Sequence, residues 1–256
     1  KHAKINLNFN LDKINNIFVK ELKLIEGNNK FLINNLELSN KLDLEKIENL
    51  SLSYVNKNEI KNKINLIYNN NNIYKIYGDT FDATNLINNI LDKDDNNTYL
   101  KNISNIVNLN IKKIYLDKNN FILNSIGTIS YKSGKVIDLE FVSIFPNKEL
   151  LKINIKTNKN SEKITTLKTS YPKPLVSRYK FIKGFEEGKL DFKSIKKSNI
   201  SNSVLIIDNF KVKEVPALAK ILTLASLQGI ADLLTGEGIR FTDFEMKFSN
   251  KNDLMN

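Results

Sequence analysis

Apolar residues alternate with polar ones in many short segments of this 256-residue chain. In the first segment, Ile5, Leu7, Phe9 and Leu11 alternate with lysine and asparagine. A two-residue period places successive side chains on opposite faces of an extended strand, so one face becomes apolar. The same period recurs at Leu36/Leu38, Leu50/Leu52/Tyr54, Ile64/Leu66/Tyr68, Ile137/Leu139/Phe141, Leu151/Ile153/Ile155, Leu190/Phe192 and Phe244/Met246/Phe248. Turn-forming asparagine clusters at 69–72 and 118–120 separate such segments. The pattern predicts a mainly β, antiparallel structure.

Two segments change to a helical period. Residues 82–91 place Leu86, Ile87, Ile90 and Leu91 on one face, with Asp82 or Thr84 as the N-cap. Residues 216–234 begin with a proline, which fits the first helical turn, and are followed by Gly236, which fits the position just past a helix end. We expect two short helices, the second buried along most of its girth against a sheet.

The predicted sheet has more apolar surface than two short helices can cover. An apolar face must pack against another layer or meet a ligand. The strands therefore either fold on themselves as a sandwich or barrel, or curl into a groove whose apolar lining contacts a ligand. The alternation alone does not separate these arrangements.

The composition removes most catalytic and metal-binding chemistry. The chain has no cysteine and a single histidine, His2, which excludes disulfide scaffolds, thiolate zinc sites, cysteine nucleophiles, Ser-His-Asp triads and histidine-based metal sites. Asp79 and Asp82 lack the dense set of oxygen ligands that calcium requires, so helix capping is the favoured role for both. We predict no catalytic residue, no metal and no cofactor.

Positive charge is concentrated in the middle of the sequence. The net charge is +11, and residues 101–213 carry 22 basic and 9 acidic residues. Arginine, the preferred residue for contacts to bases, occurs only at Arg178 and Arg240, which weakens a nucleic-acid interpretation. Abundant Lys, Asn and Ile are typical of an AT-rich coding sequence. We interpret the lysines as the solvated outer face of strands and expect no nucleic-acid partner.

The C-terminal part of the sequence contains an ordered set of distinctive features. They are a glycine-led strand at Gly188–Phe192, the strand VLIIDNF at 204–210, the helix centre LASLQG at 224–229 and the string LLTGEGI at 233–239. In this order they resemble the AsmA-like family of bacterial envelope proteins, in particular its YhdP-like branch. Upstream, GDTFDA at 78–83 is similar to a segment that opens the preceding section in these proteins. The resemblance covers about residues 73–256.

This resemblance implies a long curled antiparallel sheet with an apolar inner groove, of the bridge-like lipid-transfer type, and no enzymatic activity. It implies phospholipid acyl chains as ligands, transport between inner and outer membranes, and a role in outer-membrane integrity. It also implies a periplasmic location, tethered to the inner membrane through a segment outside this sequence. The groove-lining candidates are Leu205, Ile207, Leu218, Ile221, Leu222, Phe241, Phe244, Met246 and Phe248. A closed β-sandwich with a structural or interaction role remains the alternative.

Three further expectations concern domain organisation and local geometry. Residues 1–256 are expected to form one continuous sheet segment of a longer protein, with 1–78 and 79–256 as its sub-sections. Residues 184–188, with a glycine at each end, are interpreted as a hairpin turn. Phe241 and Phe244 lie three residues apart, which predicts a β-bulge near Thr242 and Asp243.

Overall fold

Strands dominate the structure, which confirms the predicted mainly β class. A computed structural model describes residues 2–11, 16–69, 71–85, 104–133, 135–177, 184–213, 238–251 and 254–255. The chain divides into two compact units, Lys1–Pro146 and Asn147–Asn256. The expected division between residues 78 and 79 falls inside a continuous strand.

The described residues of the first unit form nine strands. They are β1 (Ala3–Leu11), β2 (Ile17–Glu26), β3 (Asn29–Leu38), β4 (Leu44–Val55), β5 (Lys61–Asn69), β6 (Ile73–Asp82), β7 (Ile106–Tyr115), β8 (Phe121–Lys132) and β9 (Lys135–Ile144). Neighbours in the sheet are neighbours in sequence, and all pair antiparallel except β6 and β7, which are parallel. A parallel pair needs a long crossover, which residues 83–105 provide. Among the described residues no pairing joins β1 to β9, so this sheet is open.

In the second unit, the residues that the structure describes form six strands and a short helix. They are β10 (Leu150–Thr157), β11 (Lys163–Thr169), α1 (Lys173–Val176), β12 (Phe185–Lys197), β13 (Ile200–Val212), β14 (Ile239–Lys251) and β15 (Leu254–Met255). Each strand pairs antiparallel with the next one along the chain. The predicted helix at 216–234, and with it Leu218, Ile221 and Leu222, lies outside the described residues.

The first predicted helix is described only at its start. Asp82 is the last residue of β6, residues 84–85 are helical, and residues 86–91 lie outside the described residues. One carboxylate oxygen of Asp82 accepts a hydrogen bond from the backbone N–H of Thr84 at 3.0 Å. This is the interaction expected of an N-cap residue.

Three asparagines change the phase of the alternation inside strands. Asn35 in β3, Asn124 in β8 and Asn209 in β13 have φ angles of 53°, 52° and 50°. This left-handed region is costly for most residues, and asparagine is one of the few that enter it routinely. In β13, Ile207 and Phe210 lie three residues apart on either side of this phase change, yet belong to the same buried cluster. Asn209 thus allows β13 to return an apolar residue to the same face.

The predicted bulge near Thr242 and Asp243 is wrong. Strands β13 and β14 keep a single register across this region, with Asp208 opposite Asp243 and Phe210 opposite Phe241. The alternation of side chains shifts by one residue in both strands at facing positions, with Asn209 in the left-handed conformation. Neither strand therefore carries the extra unpaired residue that defines a bulge. The three-residue spacing in β14 therefore reflects a shared change of phase.

The predicted hairpin turn at 184–188 is also wrong. Residues 185–188 belong to β12, which pairs with β13 on both sides of Gly188. Glu187 and Gly188 have φ angles of 61° and 86°, values that are common in turns but here occur inside a strand. A side chain at Gly188 would place its Cβ 2.9 Å from the Cβ of Phe210, so the glycine permits a close approach between the strands.

Candidate functional site

The apolar residues of the first unit meet in rows that cross the sheet. Each member of a row faces the next one in the register of the paired strands. One row consists of Leu7, Leu22, Ile33, Leu50, Leu66, Ile76 and Leu109. The next row consists of Ile5, Leu24, Phe31, Leu52, Ile64, Gly78 and Ile111. Directly facing side chains lie on the same side of a sheet, so these rows form one continuous apolar face.

This face is only partly buried. Ile33, near the middle of its row, is 8% exposed, whereas Leu7 at the end of the row is 54% exposed. Leu22, Leu50 and Leu66 are half-buried. In the part of the first unit that the structure describes, no second layer of strands or helices packs over these rows. A sheet packed face to face with a second layer would bury such residues almost completely.

One part of this face does form a compact cluster. Ile33, Ile47 and Tyr74 are buried together, and the Tyr74 hydroxyl accepts a hydrogen bond from the backbone N–H of Ile47. The rings of Tyr68 and Tyr74 lie 4.9 Å apart. Burial raises the pKa of Tyr74, which is therefore neutral at physiological pH. Ile64 and Ile111 in the second row are buried as well, at 8% and 2% exposed, whereas Leu22, Leu50 and Leu66 stay partly exposed.

In the second unit, β13 and β14 bring six of the nine sequence-predicted candidates together. Leu205 faces Met246 and Ile207 faces Phe244, while Phe241 and Phe248 face residues of β13. The rows continue into β12, where Leu190 faces Ile207 and Phe192 faces Leu205. Three candidates, Leu218, Ile221 and Leu222, lie outside the described residues.

The six candidates differ in exposure. Ile207 is 2% exposed and belongs to a buried cluster with Phe185, Phe210 and other residues, so it is part of a packed core. Phe244 is 36% exposed and Met246 is half-buried. The ring of Phe248 stacks on that of Phe192 at 6.5 Å. The accessible apolar surface is thus centred on Phe244, Met246 and Phe248, and the opposite end of the same strands is core.

Ion pairs join several of the charged side chains on the strands. Asp79 lies between Lys112 and Lys63, at 2.8 Å and 2.9 Å, and hydrogen bonds from these two lysines lower the pKa of its carboxyl to about 2. The expected capping role is therefore wrong for Asp79, which bridges strands instead. Hydrogen bonds from Arg240 and Lys211 lower the pKa of Glu187. The pattern is that of a solvated sheet surface.

The described ranges contain neither a metal-binding cluster nor a membrane-spanning helix. No group of three or more His, Asp or Glu residues there is placed to hold a metal ion. No helix in those ranges is long and apolar enough to cross a membrane. Every buried side-chain nitrogen or oxygen in the described part of the chain has a hydrogen-bond partner.

Sequence reasoning missed the rows of the first unit as a candidate site. The signal was present in the alternation of Leu50, Leu52 and Tyr54, and of Ile64, Leu66 and Tyr68. The register that aligns these segments depends on how two strands pair, and the sequence of one strand alone does not specify it.

Comparison of the chain with protein-family models, curated proteins and solved structures finds no match.

Proposed function

We propose that this chain is a non-enzymatic segment of an AsmA-like envelope protein whose apolar sheet faces shield phospholipid acyl chains. The observation that carries the proposal is the partly buried set of apolar rows in the first unit, represented by the half-buried Leu22, Leu50 and Leu66. An apolar surface that extends over seven strands and stays partly accessible is unusual unless a ligand covers it. Acyl chains match a face that is wide, apolar and without hydrogen-bonding specificity.

The physical basis of the proposed activity is passive. Each methylene group kept out of water contributes about 0.8 kcal/mol, so a continuous apolar face lowers the barrier for a lipid that moves along it. No residue has to act as an acid, base or nucleophile. In the same proposal, the protein works in the periplasm, tethered to the inner membrane, and supports transport to the outer membrane and its integrity.

The second candidate is a structural or interaction module without a ligand. Its support is the cluster around Phe185 and Phe210, which are 1% and 5% exposed and stack at 5.4 Å. A core packed this tightly needs no lipid. This candidate explains that end of the second unit but leaves the partly buried apolar rows of the first unit without a role.

The two candidates predict different contents of the purified protein. The protein is purified without detergent and extracted with organic solvent, and the extract is analysed by mass spectrometry. The lipid-binding proposal predicts phospholipid in near-stoichiometric amount, well above the background of an unrelated soluble protein purified in parallel. A well-folded protein with only background lipid would favour the structural module.

A further inference from the structure

Strand β1 forms one edge of the first unit's sheet. It pairs with β2 along one side, and in the described part of the chain no strand pairs with its other side. In an antiparallel strand, the N–H and C=O of alternate residues point to opposite neighbours. About half of the backbone groups of β1 therefore point away from β2 and are available to a further strand.

The apolar side chains of β1 are more exposed than the side chains that face them in β2. Ile5, Leu7, Phe9 and Leu11 are between 51% and 63% exposed. Val19, which faces Phe9 in the next strand, is only 6% exposed. Val19 has a paired strand on each side, while Phe9 has one. The apolar rows thus end abruptly at β1, as they would if one strand were missing from the sheet.

Strand β1 also lacks the usual protection of a free edge. Natural edge strands are short, carry proline, or place several charges along the edge. Strand β1 is nine residues long, contains no proline, and has Lys4 as its single charged residue. Its other polar residues, Asn6, Asn8 and Asn10, are uncharged. An exposed edge of this kind is a template for pairing.

We propose that β1 binds an extended peptide segment that adds to the sheet as a further strand. The rows define the chemistry of this partner. Large apolar residues must alternate with polar ones, so that they continue the rows that end at Ile5, Leu7 and Phe9. A neutral or acidic residue is required opposite Lys4. Backbone hydrogen bonds supply affinity, and the alternation supplies specificity. This interaction does not depend on lipid binding.

The structure supplies a probe for this edge. Strand β2 already matches the rows of β1, so a synthetic peptide with the ten-residue sequence of β2, IFVKELKLIE, carries a suitable alternation. The control peptide has the same composition with its apolar residues in one block. Amide hydrogen exchange is followed by NMR on the whole chain, with and without each peptide.

The expected result is specific to one set of amides. In the protein alone, alternate amides of Ala3–Asn8 exchange quickly because they point away from β2. The IFVKELKLIE peptide should slow these amides about tenfold or more, and the block control should not. Absence of protection at millimolar peptide, or equal protection by both peptides, overturns the proposal.

Proline substitution gives a second, matched test. Asn6 and Leu7 are adjacent, so one of their N–H groups points towards β2 and the other points away. In the protein without peptide, the faster-exchanging of these two amides is the one that points away from β2. Asn6→Pro or Leu7→Pro at the outward position should abolish peptide protection and leave the melting temperature nearly unchanged; retained protection in that variant contradicts the proposal. If the protein alone self-associates in ultracentrifugation with the same amides protected, a second copy is the occupant and the separate segment is wrong.

Discussion

The rings of Phe210 and Phe241 stack across β13 and β14, with centroids 5.1 Å apart and planes 11° from parallel. Phe210 also stacks on Phe185, so three rings from three neighbouring strands form one column. Because Phe210 is buried, Phe210→Ala should destabilise the protein by about 3–5 kcal/mol through lost contacts and the cavity left behind. Urea unfolding followed by circular dichroism measures the change.

Phe244→Ala is the matched control for this substitution. Phe244 lies on the same strand as Phe241 but is 36% exposed, so its removal should cost only about 1 kcal/mol. Phe210 lies on β13 and faces Phe241, so the difference between the two variants tests whether the paired strands β13 and β14 are divided into a core end and an accessible end. Equal losses of stability in both variants would contradict that division.

Asn209 is predicted to be replaceable by glycine but not by a β-branched residue. Its φ of 50° is accessible to glycine without penalty and costs a β-branched side chain about 1–2 kcal/mol or more. Asn209→Val should therefore lower the melting temperature by several degrees, while Asn209→Gly should leave it close to that of the unmodified protein. If both variants melt alike, the left-handed conformation at this position is not required by the fold.

The strands could be predicted from the sequence because the apolar–polar alternation that marks each strand lies within its own residues. Leu50, Leu52 and Tyr54 alternate in sequence, and this is sufficient to place them on one face of β4. The rows were not predictable in the same way, since the alignment of Leu50 with Leu66 is a property of two strands and of the turn between them.

Two local predictions failed for a common physical reason. A positive φ inside a strand is produced by the residues that also form turns, namely glycine and asparagine. Gly188 was therefore interpreted as part of a turn although it lies within β12. The spacing of Phe241 and Phe244 was interpreted as a bulge because Asn209, on the facing strand, was not recognised as the residue that changes phase.

The Asp79 carboxyl provides a prediction for acid pH. Hydrogen bonds from Lys112 and Lys63 lower its pKa from the ordinary 3.8 to about 2. Since the folded-state pKa lies below the unfolded one, these ion pairs stabilise the fold at pH above about 3.8 and cease to do so as the pH falls through about 2. An NMR titration of the carboxyl carbon should show this low midpoint.

Lys112→Gln should raise the midpoint of Asp79 towards the ordinary value, because the larger of the two contributions is removed. High salt should raise it as well, since both partners are exposed to solvent. Lys118→Gln, which removes a lysine with no ion pair to Asp79, is the control. A midpoint that is unchanged in Lys112→Gln would show that the ion pair does not persist in solution.

The most direct test of lipid binding uses two adjacent residues of β5. Leu66 lies in an apolar row between Leu50 and Ile76, whereas Ile67 is 39% exposed and faces Asn49 and Lys75 on the opposite side of the sheet. Leu66→Glu and Ile67→Glu introduce the same charge one residue apart. Phospholipid that copurifies with each variant is quantified by mass spectrometry after solvent extraction, with circular dichroism as the check on folding. If lipid binds along the apolar rows, Leu66→Glu should lose most of its bound phospholipid while Ile67→Glu keeps it. Equal phospholipid content in two folded variants would show that the rows do not bind lipid.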